Sequence, residues 1–82
     1  MRGWIVMVEY VHRKNPALET KLRKLVRTCD GSGYAVRTKV RDLTWTFYQL
    51  PAALRAVRKI AKHVEGLESD CTVSLIRPEA SS

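Results

Sequence analysis

The chain has 82 residues and a formal net charge of +7, so it fits one small domain with room for only a modest core. Hydrophobic residues make up 45% and charged residues 28% of it, a balance that excludes a disordered chain. The longest apolar run near the N-terminus, residues 4–8, is too short to span a bilayer and lacks the small-residue cleavage site of a signal peptide. Two cysteines do not make a disulfide framework, so we expect a cytoplasmic protein that does not bind membranes.

The first half of the chain predicts one strand and one helix. Residues 3–11, GWIVMVEYV, are apolar and rich in β-branched side chains, which is typical of a strand. Asn15 is a good N-cap and Pro16 suits the first helical position. One helical face then carries Leu18, Leu22, Leu25, Val26 and Cys29, and we expect this helix to end near the glycines of DGSG.

A hairpin is predicted next. Residues 34–40, YAVRTKV, alternate between apolar and polar positions and indicate a half-buried strand. A turn centred on Arg41-Asp42 would connect it to a third strand over residues 43–49.

The last part of the chain predicts a helix and a strand. Pro51 opens the second helix and Gly66 offers its stop. Its narrow apolar stripe consists of Ala53, Leu54, Val57, Ile60, Ala61 and Val64. Residues 71–77, CTVSLIR, indicate the fourth strand, and residues 79–82 are expected to be a frayed tail.

The element order is therefore β-α-β-β-α-β. This order predicts an α+β fold, a ferredoxin-like sandwich with a four-stranded antiparallel sheet and two helices packed on one face. We expect residues 1–78 to form this single domain.

The most distinctive stretch is DLTWTFYQL, residues 42–50, which places Trp45 and Phe47 two residues apart on one strand. This spacing is similar to the aromatic strand with which RNA-recognition domains stack bases. The Lys/Arg-Gly opening usual in that family is replaced here by Leu43-Thr44.

The hairpin decides where these rings point. If the Arg41-Asp42 turn has two or four loop residues, the third strand pairs Leu43 with Val40, Trp45 with Thr38 and Phe47 with Val36. Opposed residues share a face, so we expect both rings in the core. A loop of odd length, or a bulge, would turn them outward.

The sheet face turned away from the helices is called the open face below. We expect the helix-facing side to take Trp4, Val6, Val8, Tyr10, Cys71, Val73 and Leu75. The open face would then have an apolar centre of Ile5, Met7 and Ile76, and strands 2 and 3 would add Arg37, Lys39, Arg41, Thr44, Thr46 and Tyr48. The open face can be interpreted in two ways. It is either an interaction site, or a surface whose edge charges discourage aggregation between sheets.

Positive charge is concentrated in the middle of the chain. Residues 13–62 contain 13 Lys/Arg and three acidic side chains, a local net charge of +10, whereas acids collect in EGLESD, residues 65–70. The helices carry Lys21, Arg23, Lys24 and Arg27, and Arg55, Arg58, Lys59 and Lys62. Like charges at these spacings repel, so local stability does not explain them. They predict either a solvated surface or an anion-binding surface.

Catalytic chemistry is not expected. The proposed topology brings His12, His63 and Cys71 to one end beside Glu65, Glu68 and Asp70, but without metal-ligand spacing. Cys29 would lie at the opposite end, which excludes an internal disulfide. Acylphosphatases share this element order and bind phosphate in the loop after the first strand. The corresponding loop here, VHRKNP, lacks their glycine-bearing pattern, so we expect no catalytic residue, cofactor or metal.

We therefore expect a small non-enzymatic binding module whose basic surface engages RNA, DNA or a nucleoprotein complex. The candidate nucleic-acid-binding residues are Arg55, Arg58, Lys59, Lys62, Lys21, Lys24, Arg27, Arg37, Lys39 and Arg41. The alternative is a protein-protein interaction module, either a homodimer through the open face or a small regulator or inhibitor of a protein partner, including an acidic one. Its candidate residues are Ile5, Met7, Tyr48 and Ile76.

Overall fold

The structure is a computed structural model that describes residues 3–11, 13–14, 16–65 and 71–77. Its elements follow the predicted βαββαβ order: β1 (Trp4–Val11), α1 (Leu18–Leu25), β2 (Gly31–Ala35), β3 (Val40–Phe47), α2 (Leu50–His63) and β4 (Cys71–Ile76). The predicted N-cap Asn15, the predicted stop Gly66 and the predicted tail at residues 79–82 lie outside the described residues. The α+β class is confirmed, with four antiparallel strands and two helices.

The sheet has the strand order β2-β3-β1-β4, so β3 and β1 lie in its centre. β1 is central and pairs with β3 on one side and β4 on the other. Val8, for example, lies between Leu43 of β3 and Val73 of β4. β2 and β4 form the two edges.

One side of this sheet and both helices enclose the core. The alternating residues Val6, Val8 and Tyr10 of β1 are buried, as the prediction for this strand required. The same cluster contains Leu18 and Leu22 of α1 and Ala53, Ala56 and Ile60 of α2. Val73 and Leu75 of β4 are partly buried and pack against it, and Cys71 is buried. The predicted inward faces of β1 and β4 are thus confirmed.

The predicted hairpin register is wrong. β2 occupies Gly31–Ala35, residues 36–39 form the turn, and Ala35 pairs with Val40. Lys39 closes the turn in a left-handed conformation, with φ of 62°, and its amide donates to the Ala35 carbonyl at 2.7 Å. Val36, which was expected in the core, is consequently 71% exposed.

The glycines after α1 explain part of this error. The sequence pattern predicts a helix end at these glycines, but they form part of an edge strand because their missing side chains leave room for neighbours on β3. A Cβ atom at Gly31 would lie 2.8 Å from Thr44 Oγ1, and one at Gly33 would lie 3.0 Å from Asp42 Oδ1. A side chain at Gly31 would therefore displace its neighbour.

The first helix is shorter than predicted. It ends at Leu25, and Val26 is its C-cap, so Cys29 contacts the core from the following segment. This segment is held to β3 by the Asp30 amide, which donates to the Thr44 carbonyl at 2.7 Å. The Thr46 amide of β3 also donates to Asp30 Oδ2 at 2.6 Å, which adds a side-chain contact between this segment and β3.

No helix in the described part of the chain is long and apolar enough to cross a membrane.

Candidate nucleic-acid interface

The two rings of β3 pack inward. Trp45 is fully buried, and its indole Nε1 donates a hydrogen bond to the Arg27 carbonyl at 2.9 Å. Phe47 is partly buried against the core. The prediction that both rings serve the core is confirmed, and neither ring is available on the open face to stack a base.

Parity explains why the rings were placed correctly although the hairpin pairing was wrong. The observed register pairs Ser32 with Leu43 and Tyr34 with Arg41, whereas the predicted one paired Val40 with Leu43. The two registers differ by an even number of residues. An even slip keeps the same alternate side chains of β3 on the same face of the sheet.

The charge of Arg27 is engaged in contacts within the fold, so little of it is available to bind a ligand. Its guanidinium donates to Asp30 Oδ2 at 2.9 Å and to the Thr46 carbonyl at 2.6 Å. The same group lies 4.6 Å from the centre of the Phe47 ring, within the range of a cation–π contact. A surface cavity of about 440 Å³ adjoins these residues and Tyr48, but its one cation is already paired. Arg27 is therefore a weaker phosphate-binding candidate than the sequence indicated.

Arg41 lies on the opposite side of the sheet from the one predicted. The pairing of Arg41 with Tyr10 puts it on the helix-facing side, where its Nε donates to Glu19 Oε1 of α1 at 2.7 Å. Arg23 donates to the other oxygen of this carboxylate at 2.6 Å. The hydrogen bond to Glu19 raises the pKa of the Arg41 guanidinium, so Arg41 is held as a structural cation. The open-face placement of Arg41 is corrected accordingly.

This cluster was only partly visible in the sequence. The spacing of Glu19 and Arg23 by four residues is a helical ion-pair pattern and could have been found. The third member, Arg41, joins from a strand 22 residues away along the chain, and no local signal predicts such a contact.

The second helix presents its cations to solvent as expected. Arg55, Arg58, Lys59 and Lys62 are all exposed and recur at i, i+3, i+4 and i+7. With 3.6 residues per turn this stripe lies opposite the buried Ala53, Ala56 and Ile60. The helix contains no acidic residue, and no described carboxylate pairs with any of the four cations.

Two lysines of α1 extend this surface. Glu19 bonds Arg41 of β3, and Arg23 bonds Glu19 on the same flank of α1. Helical geometry places Lys21 and Lys24 away from that flank, and α1 packs beside α2. Both lysines are exposed, and neither forms an ion pair with a described carboxylate. Below, the helix surface means the six residues Lys21, Lys24, Arg55, Arg58, Lys59 and Lys62.

The remaining candidates lie elsewhere. Arg37 and Lys39 are exposed in the 36–39 turn and do not lie on a strand facing the open side. Tyr48 follows β3 and is 64% exposed.

The open face is acidic where a cationic edge was expected. Its apolar centre is confirmed in part, since Ile5 and Met7 are half-buried and Ile76 is 41% exposed. Glu9 of β1 and Asp42 of β3 lie directly opposite each other, on the same face as Met7. Sequence reasoning missed this pair because the predicted turn removed Asp42 from the sheet.

The described residues contain no group of three His, Cys, Asp or Glu side chains able to hold a metal. His12, Glu68 and Asp70 lie outside the described residues. Cys29 and Cys71 are free thiols, and burial raises the pKa of the Cys71 thiol, which disfavours its reactive thiolate.

Comparison of the chain with models of protein families, with curated proteins and with solved structures found no match.

Proposed function

We propose that this protein is a non-enzymatic module of the ferredoxin-like type that binds the phosphate backbone of RNA or DNA through its helix surface. The observation that carries the proposal is the α2 stripe, with four exposed cations and no acid in 14 residues. Such a concentration of like charge destabilises a helix slightly, so a role in binding accounts for it better than a role in folding. A cytoplasmic location belongs to the proposal and accords with the two free thiols.

The dimensions of the stripe suit a nucleic-acid strand. Residues 55–62 span about 10 Å along the helix axis at 1.5 Å per residue. Phosphates of one duplex strand recur about every 3.4 Å along the duplex axis, so this length corresponds to about three phosphate intervals. Four cations therefore face a comparable number of phosphates.

The chemistry of the surface indicates backbone binding without base recognition. Neither α1 nor α2 contains Phe, Trp or Tyr, the rings on which proteins most often stack bases. Phosphate contacts position a protein but carry no sequence information. We expect similar affinity for unrelated sequences and a steep dependence on salt.

The test is a salt titration of binding, measured by fluorescence anisotropy with labelled single-stranded RNA and duplex DNA of mixed sequence. If all six cations contact phosphates, the slope of log K against log salt is about −4 on a single strand and about −5 on duplex DNA. Replacing Arg58 and Lys59 with glutamine removes two contacts, so we expect the slope to become shallower by about 1.5–2.

Arg23→Gln is the matched control. It removes one arginine charge from an exposed helix position, but that charge is already paired with Glu19, so slope and affinity should stay close to wild type. The proposal fails if the protein binds neither RNA nor DNA at about 50 mM salt. It also fails if Arg23→Gln weakens binding as much as Arg58→Gln/Lys59→Gln does.

A protein-protein interaction module is the second candidate, favoured by the exposure of Ile76 and Tyr48 near the half-buried Ile5 and Met7. Glu9 and Asp42 on the same face would repel an acidic partner. An acidic protein would instead bind the helix surface, where it would compete with nucleic acid. Binding of a host protein that persists in Arg58→Gln/Lys59→Gln but is lost in Tyr48→Lys would favour the open face.

A further inference from the structure

The surface cavity at the end of β3 has a polar wall that hydrogen bonds hold in place. It measures about 440 Å³, is called the cleft below, and is lined by Arg27, Asp30, Thr46, Phe47 and Tyr48. β2 begins at Gly31, which pairs with Thr44, so the last residues of β3 extend past the edge of β2. There Asp30 Oδ2 accepts from the Thr46 amide at 2.6 Å, and Arg27 donates to the Thr46 carbonyl at 2.6 Å. The volume of the cleft lies within the range of small-ligand pockets.

Tyr48 supplies an aromatic ring at the rim of the cleft. It is 64% exposed, although a ring of this size gains much from burial. The ring lies close to the backbone of Gly3, where an added Cβ atom would be 3.2 Å from Tyr48 Cδ1. This close approach supports one part of the ring and leaves the rest of its surface for a planar ligand. Every nucleobase has a π-face that can stack on such a ring.

The polar groups of the cleft suit a base better than a phosphate. The hydrogen bonds that Asp30 accepts from Arg27 and from Thr46 both end on Oδ2, so Oδ1 is left for a ligand. A carboxylate oxygen accepts hydrogen bonds and repels the negative charge of a phosphate. The Watson–Crick edge of every base carries at least one N–H donor, and this edge is free only when the base is unpaired. An unpaired base therefore matches Tyr48 and Asp30 together.

The cleft lies at the end of the molecule where the helix surface begins. Arg27 follows the end of α1 by two residues, and Tyr48 precedes the start of α2 by two residues. The cations of the helix surface nearest to them along the chain are Lys24, in the last turn of α1, and Arg55, in the second turn of α2. A nucleic-acid strand bound to these two cations therefore lies next to the cleft.

We propose that the cleft takes one unpaired base of a single-stranded RNA or DNA whose backbone lies on the helix surface. The Tyr48 ring stacks on the base, and Asp30 Oδ1 accepts a hydrogen bond from its N–H edge. This inference rests on the proposed function, because the phosphate contacts of the helix surface bring the strand to the cleft. Stacking and a single acceptor tolerate all four bases, so the cleft selects single strands over duplexes and not one sequence over another.

The test compares three labelled DNA probes of equal length by fluorescence anisotropy: a mixed-sequence single strand, the same strand with every base removed, and a duplex. We expect the wild type to bind the intact single strand about tenfold or more tightly than the abasic strand, and Tyr48→Leu to remove this difference. The salt slope should stay unchanged in Tyr48→Leu, since no phosphate contact is lost. Affinity for the abasic strand and for the duplex should also stay unchanged.

Two variants serve as controls. Tyr48→Phe keeps the ring and should retain most of the preference for the intact strand. Tyr34→Leu makes the same substitution at a tyrosine that is 45% exposed and lies on β2, outside the cleft, and it should bind all three probes like the wild type. Circular dichroism of each variant checks that it is folded.

Equal affinity of the wild type for the intact and the abasic strand would overturn the proposal. So would a Tyr48→Leu variant that loses as much affinity for the duplex as for the single strand, or a Tyr34→Leu variant with the same effect as Tyr48→Leu. If Arg58→Gln/Lys59→Gln still makes the salt slope shallower while Tyr48→Leu changes nothing, the cleft is refuted and the proposed function stands. Binding of none of the three probes would refute both.

Discussion

Replacing Trp45 with phenylalanine tests the orientation of β3, on which the assignment of both sheet faces depends. Trp45 is fully buried and its indole N–H bonds the Arg27 carbonyl at 2.9 Å. Loss of this hydrogen bond costs about 1 kcal/mol. The phenyl ring also has three fewer ring atoms, and the smaller apolar contact and residual cavity cost a further 1–2 kcal/mol or so. We therefore expect a loss of about 2–3 kcal/mol in the free energy of unfolding.

This loss is large for a domain of this size, whose total stability is roughly 4–12 kcal/mol, and corresponds to a fall in Tm of roughly 10–20 °C. The assay is urea unfolding followed by far-UV circular dichroism, which does not depend on the indole that is removed. Tyr48→Leu is the control, because Tyr48 is 64% exposed and should change stability by no more than about 0.5 kcal/mol. The reasoning is refuted if Trp45→Phe leaves stability within about 0.5 kcal/mol of wild type while RNA affinity falls, since the ring would then serve as a stacking platform.

Two further predictions concern pH and the hairpin. Burial raises the pKa of the Tyr10 phenol, an increase that nearby Arg41 partly offsets. Burial also raises the pKa of the Cys71 thiol. The folded state therefore favours the neutral form of both groups. The stability that these neutral groups contribute is complete at neutral pH and is lost as the pH rises above about 9–10, through their raised pKa values. The free energy of unfolding measured against pH should therefore show an alkaline fall that is smaller in Tyr10→Phe than in wild type. Lys39 has a φ of 62°, so Lys39→Gly should raise the free energy of unfolding by up to about 1 kcal/mol and Lys39→Val should lower it by about 1 kcal/mol; equal effects of the two in urea unfolding would contradict the turn assignment.

Much of the fold could be predicted because its signals are local. Alternation in β1 placed Val6, Val8 and Tyr10 inward, and 3.6-residue periodicity placed the α2 cations opposite the α2 core residues. Pro51 lies in the first turn of α2, as predicted. Each of these assignments depends on residues within one or two turns or a single strand, which the order of amino acids specifies directly.

The site itself could be predicted only in part. The α2 stripe is exposed as expected, but Arg41 and Arg27 are held by Glu19 and by Asp30 with Thr46. Whether a cation is exposed or paired depends on which distant carboxylate the fold brings to it. Composition and spacing alone do not carry that information.

The sequence by itself determined the order of the elements, the side of β3 that Trp45 occupies and the cationic stripe of α2. Only the tertiary structure decided the hairpin register, the opposed acids Glu9 and Asp42, and the ion pair of Arg41 with Glu19. Alternation specifies which side chains share a face, but it is unchanged when two strands slide by an even number of residues. The pairing is then selected by contacts across the sheet, such as the space that Gly31 leaves for Thr44.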